Sequence, residues 1–137
     1  MLTYDMARQM VDAAVAHARA NGLAMTIAVV DQAGTRVALG RMDGSHFMAP
    51  EIARGKAYGS AAFGLPSAEL ARRAEESSVF YSSLTTLVGG KFVAAQGALP
   101  IRLNGQLVGA IGATGSKPQV DEEVARAGLA AVPGADH

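Results

Sequence analysis

The chain has 137 residues, half of them hydrophobic and 18% charged, with 16 glycines and no cysteine or tryptophan. That is the composition of one globular domain spanning residues 1–137, and it excludes disorder, disulfides, thiolate metal sites and cysteine nucleophiles. Twelve basic residues balance twelve acidic ones, so the positive excess that drives phosphate neutralisation is missing and nucleic acid is not an expected partner.

Thr3 is placed to cap a first helix running to about Asn21, with Gly22 at its close. Residues Met25 to Asp31 and Thr35 to Met42 read as two strands joined through Gln32-Ala33-Gly34, an antiparallel hairpin. Asp43-Gly44-Ser45 breaks the second strand, and Pro50 sits in the first turn of a second helix reaching Phe63. Gly55 and Gly59 lie inside that helix. Each costs about 1 kcal/mol against Ala, which predicts close approach of another backbone.

Gly64-Leu65-Pro66 ends the second helix, and Ser67 to Glu76 forms a short charged third one. Ser77 to Gly90 carries no clear period. Phe92 to Ala95, Leu99 to Leu103 and Gln106 to Ala113 read as three strands, the last two joined by the hairpin signal Asn104-Gly105. Ser116 and Gln119 predict a capping box for a final helix from Pro118 to about Ala131, followed by a loose tail, Pro133 to His137. The expected architecture is α/β (α+β): one five-stranded antiparallel sheet flanked by helices. No run of about 18 apolar residues occurs, so a membrane is not expected. The opening MLTYDMARQM lacks the basic-then-apolar pattern of a secretory leader, so a cytoplasmic setting is.

Three blocks occur together in register: MTIAVVDQAGTRVALGRMDG (25–44), IARGKAYGSAAF (52–63) and GALPIRLNGQLVGAIGATGSKPQVDEEVARAGL (97–129). In this order and spacing the chain resembles the GlcG/HbpS family, which includes the C-terminal domain of PduO-type proteins. The resemblance implies a profilin-like fold and a homo-oligomer, a dimer or an octamer. It also implies a haem-binding protein with a role in haem degradation or iron handling, although some relatives sit in catabolic operons without settled chemistry. Ala98-Leu99 stand where the family commonly has Gly-Gly, Thr114 where it often has Ser, and His46 in a stretch usually free of histidine.

Histidine is the first candidate, because it ligates iron and moves protons near neutral pH. His17 lies at the edge of the apolar side of the first helix. It reads either as a half-buried helix histidine bonded to backbone or, as the resemblance implies, as the axial ligand of a haem iron. His46 lies on the loop after the second strand, with Asp43 placed to orient its imidazole and Phe47 beside it. The plain alternative is a solvated loop histidine. His137 is terminal.

Arg41 and Lys56 form a candidate anion pair for a haem propionate or a substrate carboxylate, with Lys56 alternatively a surface residue bridged to Glu51 or Glu75. Thr114 can add a hydroxyl to a pocket. The glycines from Gly109 to Gly115 match neither a P-loop nor a dinucleotide fingerprint. Asp121, Glu122 and Glu123 suit the first turn of the last helix. No classical metal-ligand spacing occurs.

Two functions follow. One is a haem-binding module ligated by His17, with Arg41 or Lys56 on the propionates and haem the only expected cofactor. The other is a cofactor-independent isomerase, lyase or hydrolase acting on a small carboxylated metabolite. Its base would be His46, oriented by Asp43, with Arg41 and Lys56 anchoring the substrate.

Overall fold

The computed structural model describes residues 1–137. The side-chain oxygen of Thr3 accepts the Met6 N–H at 3.1 Å and opens α1 (Tyr4–Ala20), satisfying a donor that has no partner inside the helix. β1 (Thr26–Asp31) and β2 (Arg36–Arg41) form the expected hairpin. The Asp31 carboxylate accepts the Ala33 and Thr35 N–H groups at 2.9 and 3.0 Å and sets the turn. α2 (Ala49–Phe63), α3 (Ser67–Glu76) and α4 (Ser78–Leu87) follow. β3 (Ala98–Leu103) and β4 (Gln106–Thr114) are joined by Asn104 at φ 51° and Gly105 at φ 78°. Two successive left-handed residues match the right-handed twist of the strands they join. α5 (Pro118–Leu129) and a two-residue β5 (Ala135–Asp136) complete the chain.

The sheet order is β2-β1-β4-β3-β5, with every pairing antiparallel. Alternation along β1 sends Ile27 and Val29 to one face, where α1 and α5 cover them in the main core with Met10, Leu99, Ile111 and Val124. Val30 faces the other way and packs with Ala57 and Ala61 of α2 and with Ala110. The sheet is therefore sandwiched, with α1 and α5 on one side and α2 on the other. Small residues let α2 lie close. A Cβ at Gly112 of β4 would run into the Ala53 carbonyl oxygen.

Four sequence expectations are corrected. Ser77 to Gly90, left without a period, contains α4, which buries only Tyr81 and so lacks the two-sided pattern that marks a helix. Phe92 to Ala95 pairs with no strand. Phe92 instead enters a satellite core with Leu70 and Tyr81, and the fifth strand comes from the tail, through Arg102↔Asp136 and Leu103↔Ala135. The Gly55 and Gly59 approach is real, but it mainly admits the side chains of Val93 and Phe92 rather than a backbone. The capping box is absent at α5. The Ser116 N–H donates to the Asp121 carboxylate at 2.8 Å, and Gln119 plays no capping part.

Candidate functional site

One end of the sheet gathers most of the candidate residues. Thr26 opposes Arg41 on one side and Thr114 on the other. Directly opposed residues point to the same face, here the α2 face. Thr26 is buried, and its hydroxyl shares a 2.6 Å hydrogen bond with the buried Ser45 hydroxyl. Arg41 donates from Nε and Nη2 to the Ser45 carbonyl oxygen at 3.2 and 2.9 Å. Both contacts pin the β2–α2 loop to the sheet, so one edge of the guanidinium is already committed to structure.

Lys56 follows from α2 with only 4% of its surface exposed. Its Nζ donates to the Asp121 carboxylate at 3.0 Å and to the Ala113 carbonyl oxygen at 3.1 Å. The partner is thus Asp121 on α5, neither Glu51 nor Glu75. The pair crosses the end of the sheet and joins the helix layers on its two faces. Burial pushes the Asp121 carboxyl above its ordinary value, outweighing the opposing hydrogen bond from Lys56 and its charge. Gly97 leaves room for the ammonium, since a Cβ there would lie 2.9 Å from Nζ.

The β2–α2 loop presents His46, Phe47 and Met48 to solvent. His46 stacks on Phe47 with centroids 4.7 Å apart, and its Nδ1 accepts the Met48 N–H at 3.1 Å. Asp43 makes no hydrogen bond to it, so the expected orienting contact is replaced by a backbone one. His46, Asp43 and Lys56 share no hydrogen bond, and the structure supplies no assembled general-base site from them.

His17 is half-buried in the last turn of α1, and its ring has no hydrogen-bond partner. Val15 and Arg19 line a groove of about 200 Å³ with Gly40 to Asp43. His17 lies two residues from each, about 200° around the helix. It therefore faces away from that groove. His17 lies on α1, which covers the opposite face of the sheet from the one Arg41 points to, so the two residues that the sequence set together around haem do not converge. No group of three or more His, Asp or Glu side chains is arranged to hold a metal ion, and no helix is long and apolar enough to cross a membrane.

Sequence reasoning missed Asp121 as the partner of Lys56, and it missed the Thr26–Ser45 pair. The Lys56 partners lie 57 and 65 residues away, a separation that leaves no local pattern.

Residues 2–130 match the family described as haem-degrading HbpS-like proteins. The chain is 27% identical over 131 residues to the corrinoid adenosyltransferase PduO of Citrobacter freundii, covering 96% of this chain and 39% of that protein. It thus spans about two fifths of that relative's length. Among solved structures, a double mutant of HbpS from Streptomyces reticuli superposes with a TM-score of 0.84 at 30% identity, over 96% of this chain and 86% of that one. A structure described as a PduOC–haem complex superposes with a TM-score of 0.86 at 26% identity, over 96% and 95%.

Proposed function

The chain belongs to the family of haem-degrading HbpS-like proteins, and on that premise we propose that it binds haem and that His17 is the residue that would hold the iron. The observation that carries this reading is the likeness, over almost the whole of both chains, to a relative solved with haem. His46 and His17 differ in chemistry. The Nδ1 of His46 accepts an N–H from its own loop, so that ring is already engaged, with the proton of its neutral form on Nε2. His17 has no such commitment. Bound haem supplies a redox-active iron; the part of this chain is to hold it through one imidazole.

The hollows of a single chain fit haem poorly. The two hollows beside Arg41 are about 200 and 390 Å³, at or below the low end of the roughly 300–1,000 Å³ range of small-molecule pockets. Another copy covering the ring would meet that shortfall, so the reading includes a homo-oligomer. The outer face of α4 supports it. Val79 and Leu87 are 81% and 79% exposed, and no charged residue occurs from Ser77 to Gly90. A two-fold contact sets a patch against itself, so a neutral patch meets no like charge. The Ser83 and Thr86 hydroxyls donate to the Val79 and Ser82 carbonyl oxygens, which takes up two of the polar hydrogens on that face.

Haemin titration followed by visible absorption tests the reading. The wild type gives a saturable Soret band at one haem per chain, His17→Ala loses it and His46→Ala keeps it. Equal bands in all three proteins would refute His17 as ligand, and no band in any would refute haem binding. Degradation is read in the same cuvette: bleaching under a reductant and dioxygen marks turnover, and a stable spectrum marks carriage.

A further inference from the structure

At the other end of β2 from Arg41, the Ala33–Thr35 turn, α2 and the loop before β3 surround a hollow of about 230 Å³. Arg36 opens the strand that Arg41 closes, so about 17 Å separates the two ends at 3.3 Å per residue. Arg36, Arg54, Lys91 and Tyr58 line the hollow. The Tyr58 ring lies against Gly34, whose φ of +80° and missing Cβ leave the space the ring fills. That wall is therefore fixed by the hairpin turn.

Glu51 braces the two arginines. Its Oε1 accepts from Arg36 Nη1 at 3.4 Å and its Oε2 from Arg54 Nη2 at 3.1 Å. Both arginines thus share one carboxylate, Asp31 is turned to the Ala33 and Thr35 N–H groups, and Lys91 has no carboxylate partner, so the lining keeps a positive excess. The Nε of Arg54 is fully buried and has no acceptor. An unpaired buried donor costs about 1–3 kcal/mol, more when it belongs to a charged group, and a bound water or ion is a common partner for one.

We propose that this hollow binds a small dianionic oxyanion, a phosphate group or a short dicarboxylate, between Arg36, Arg54 and Lys91. Planar guanidinium forks match the paired oxygens of either group, and Lys91 adds a point charge from the exposed loop. The positive excess of the lining favours an anion. The hollow is smaller than the roughly 300–1,000 Å³ pockets that enclose drug-sized molecules, so it holds an anionic headgroup rather than a whole large ligand. None of its residues takes part in the haem reading, and the two stand or fall separately.

Calorimetric titration at low ionic strength, with inorganic phosphate and with succinate, decides the matter. At least one of them binds at a single saturable site in the wild type. Arg54→Gln weakens it by about tenfold or more and Lys91→Ala by several-fold, while Arg126→Gln, an exposed cation on α5, leaves it unchanged. Phosphate alone identifies a phosphorylated ligand, and succinate alone a carboxylated one. Haemin binding stays the same in Arg54→Gln. No saturation by either anion up to ~10 mM, equal competition by chloride, or unaltered binding in both Arg54→Gln and Lys91→Ala would overturn the proposal. Lys91→Ala, on an exposed loop, reads the site even if Arg54→Gln folds poorly.

Discussion

Lys56 sits among Gly55, Ala57 and Gly59, and those small neighbours are what let a lysine reach into the end of the sheet. The sequence offered it as half of an anion-binding pair or as a surface residue. What it meets there, Asp121 and the Ala113 carbonyl, follows from how α2 and α5 are laid on opposite faces. With side chains 5% and 3% exposed, the pair behaves as a buried one: removing a single partner strands a charge. Lys56→Met is expected to lower stability by about 3–5 kcal/mol, read from urea unfolding, and a simultaneous Asp121→Leu to restore part of the loss. A loss below about 1 kcal/mol would show that water reaches the pair. The pH dependence has a definite sign. Burial raises the Asp121 carboxyl above its usual 3.8, so just above that pH the folded chain holds a proton the unfolded chain has released. Its contribution therefore falls as pH rises through that window and is level beyond it. Urea midpoints between about pH 4 and 7 should show this slope in the wild type and lack it in Asp121→Asn.

The helices and hairpins whose residues alternate between buried and exposed were legible, because periodicity, caps and turn residues are local signals. Thr3, Gly22, Gly64 and Asn104-Gly105 mark boundaries within a few residues of where they fall. α4 was not legible, since a helix that buries one tyrosine has no stripe to detect. β5 was not legible either, because two residues become a strand only when β3 offers an edge. Gly59 tests the packing of α2 directly. Helix propensity alone would make Gly59→Ala favourable by about 1 kcal/mol. A Cβ there meets the buried Phe92 ring and lies 3.1 Å from Leu70 Cδ1, so the expected outcome is destabilisation by about 1–3 kcal/mol, measured as a lower Tm.

Across the whole molecule, the sheet separates two surfaces with different uses. The α1–α5 side carries His17 and the main core. The α2 side carries the Lys56 clamp and, at the opposite end, the basic hollow. The edge of β3 is closed only by residues 135–136. Deleting residues 134–137 is expected to speed amide exchange at Arg102 and Leu103 while leaving β1 protected, because an unpaired edge opens locally before the sheet does. Unchanged exchange at Leu103 would show that β5 adds nothing to that edge.

By itself the sequence determined the class of fold, most of the elements, the absence of cysteine chemistry and the family, since each rests on patterns that neighbouring residues or three blocks in register display. Only the tertiary structure decided which side chains meet. It set His17 and Arg41 on opposite faces of the sheet, tied Lys56 to a carboxylate 65 residues away, and brought Arg36, Arg54 and Lys91 around one hollow. The reason is physical. Charge pairing and pocket shape depend on how helices are laid across the sheet, and chain folding sets those positions through contacts between residues far apart in sequence.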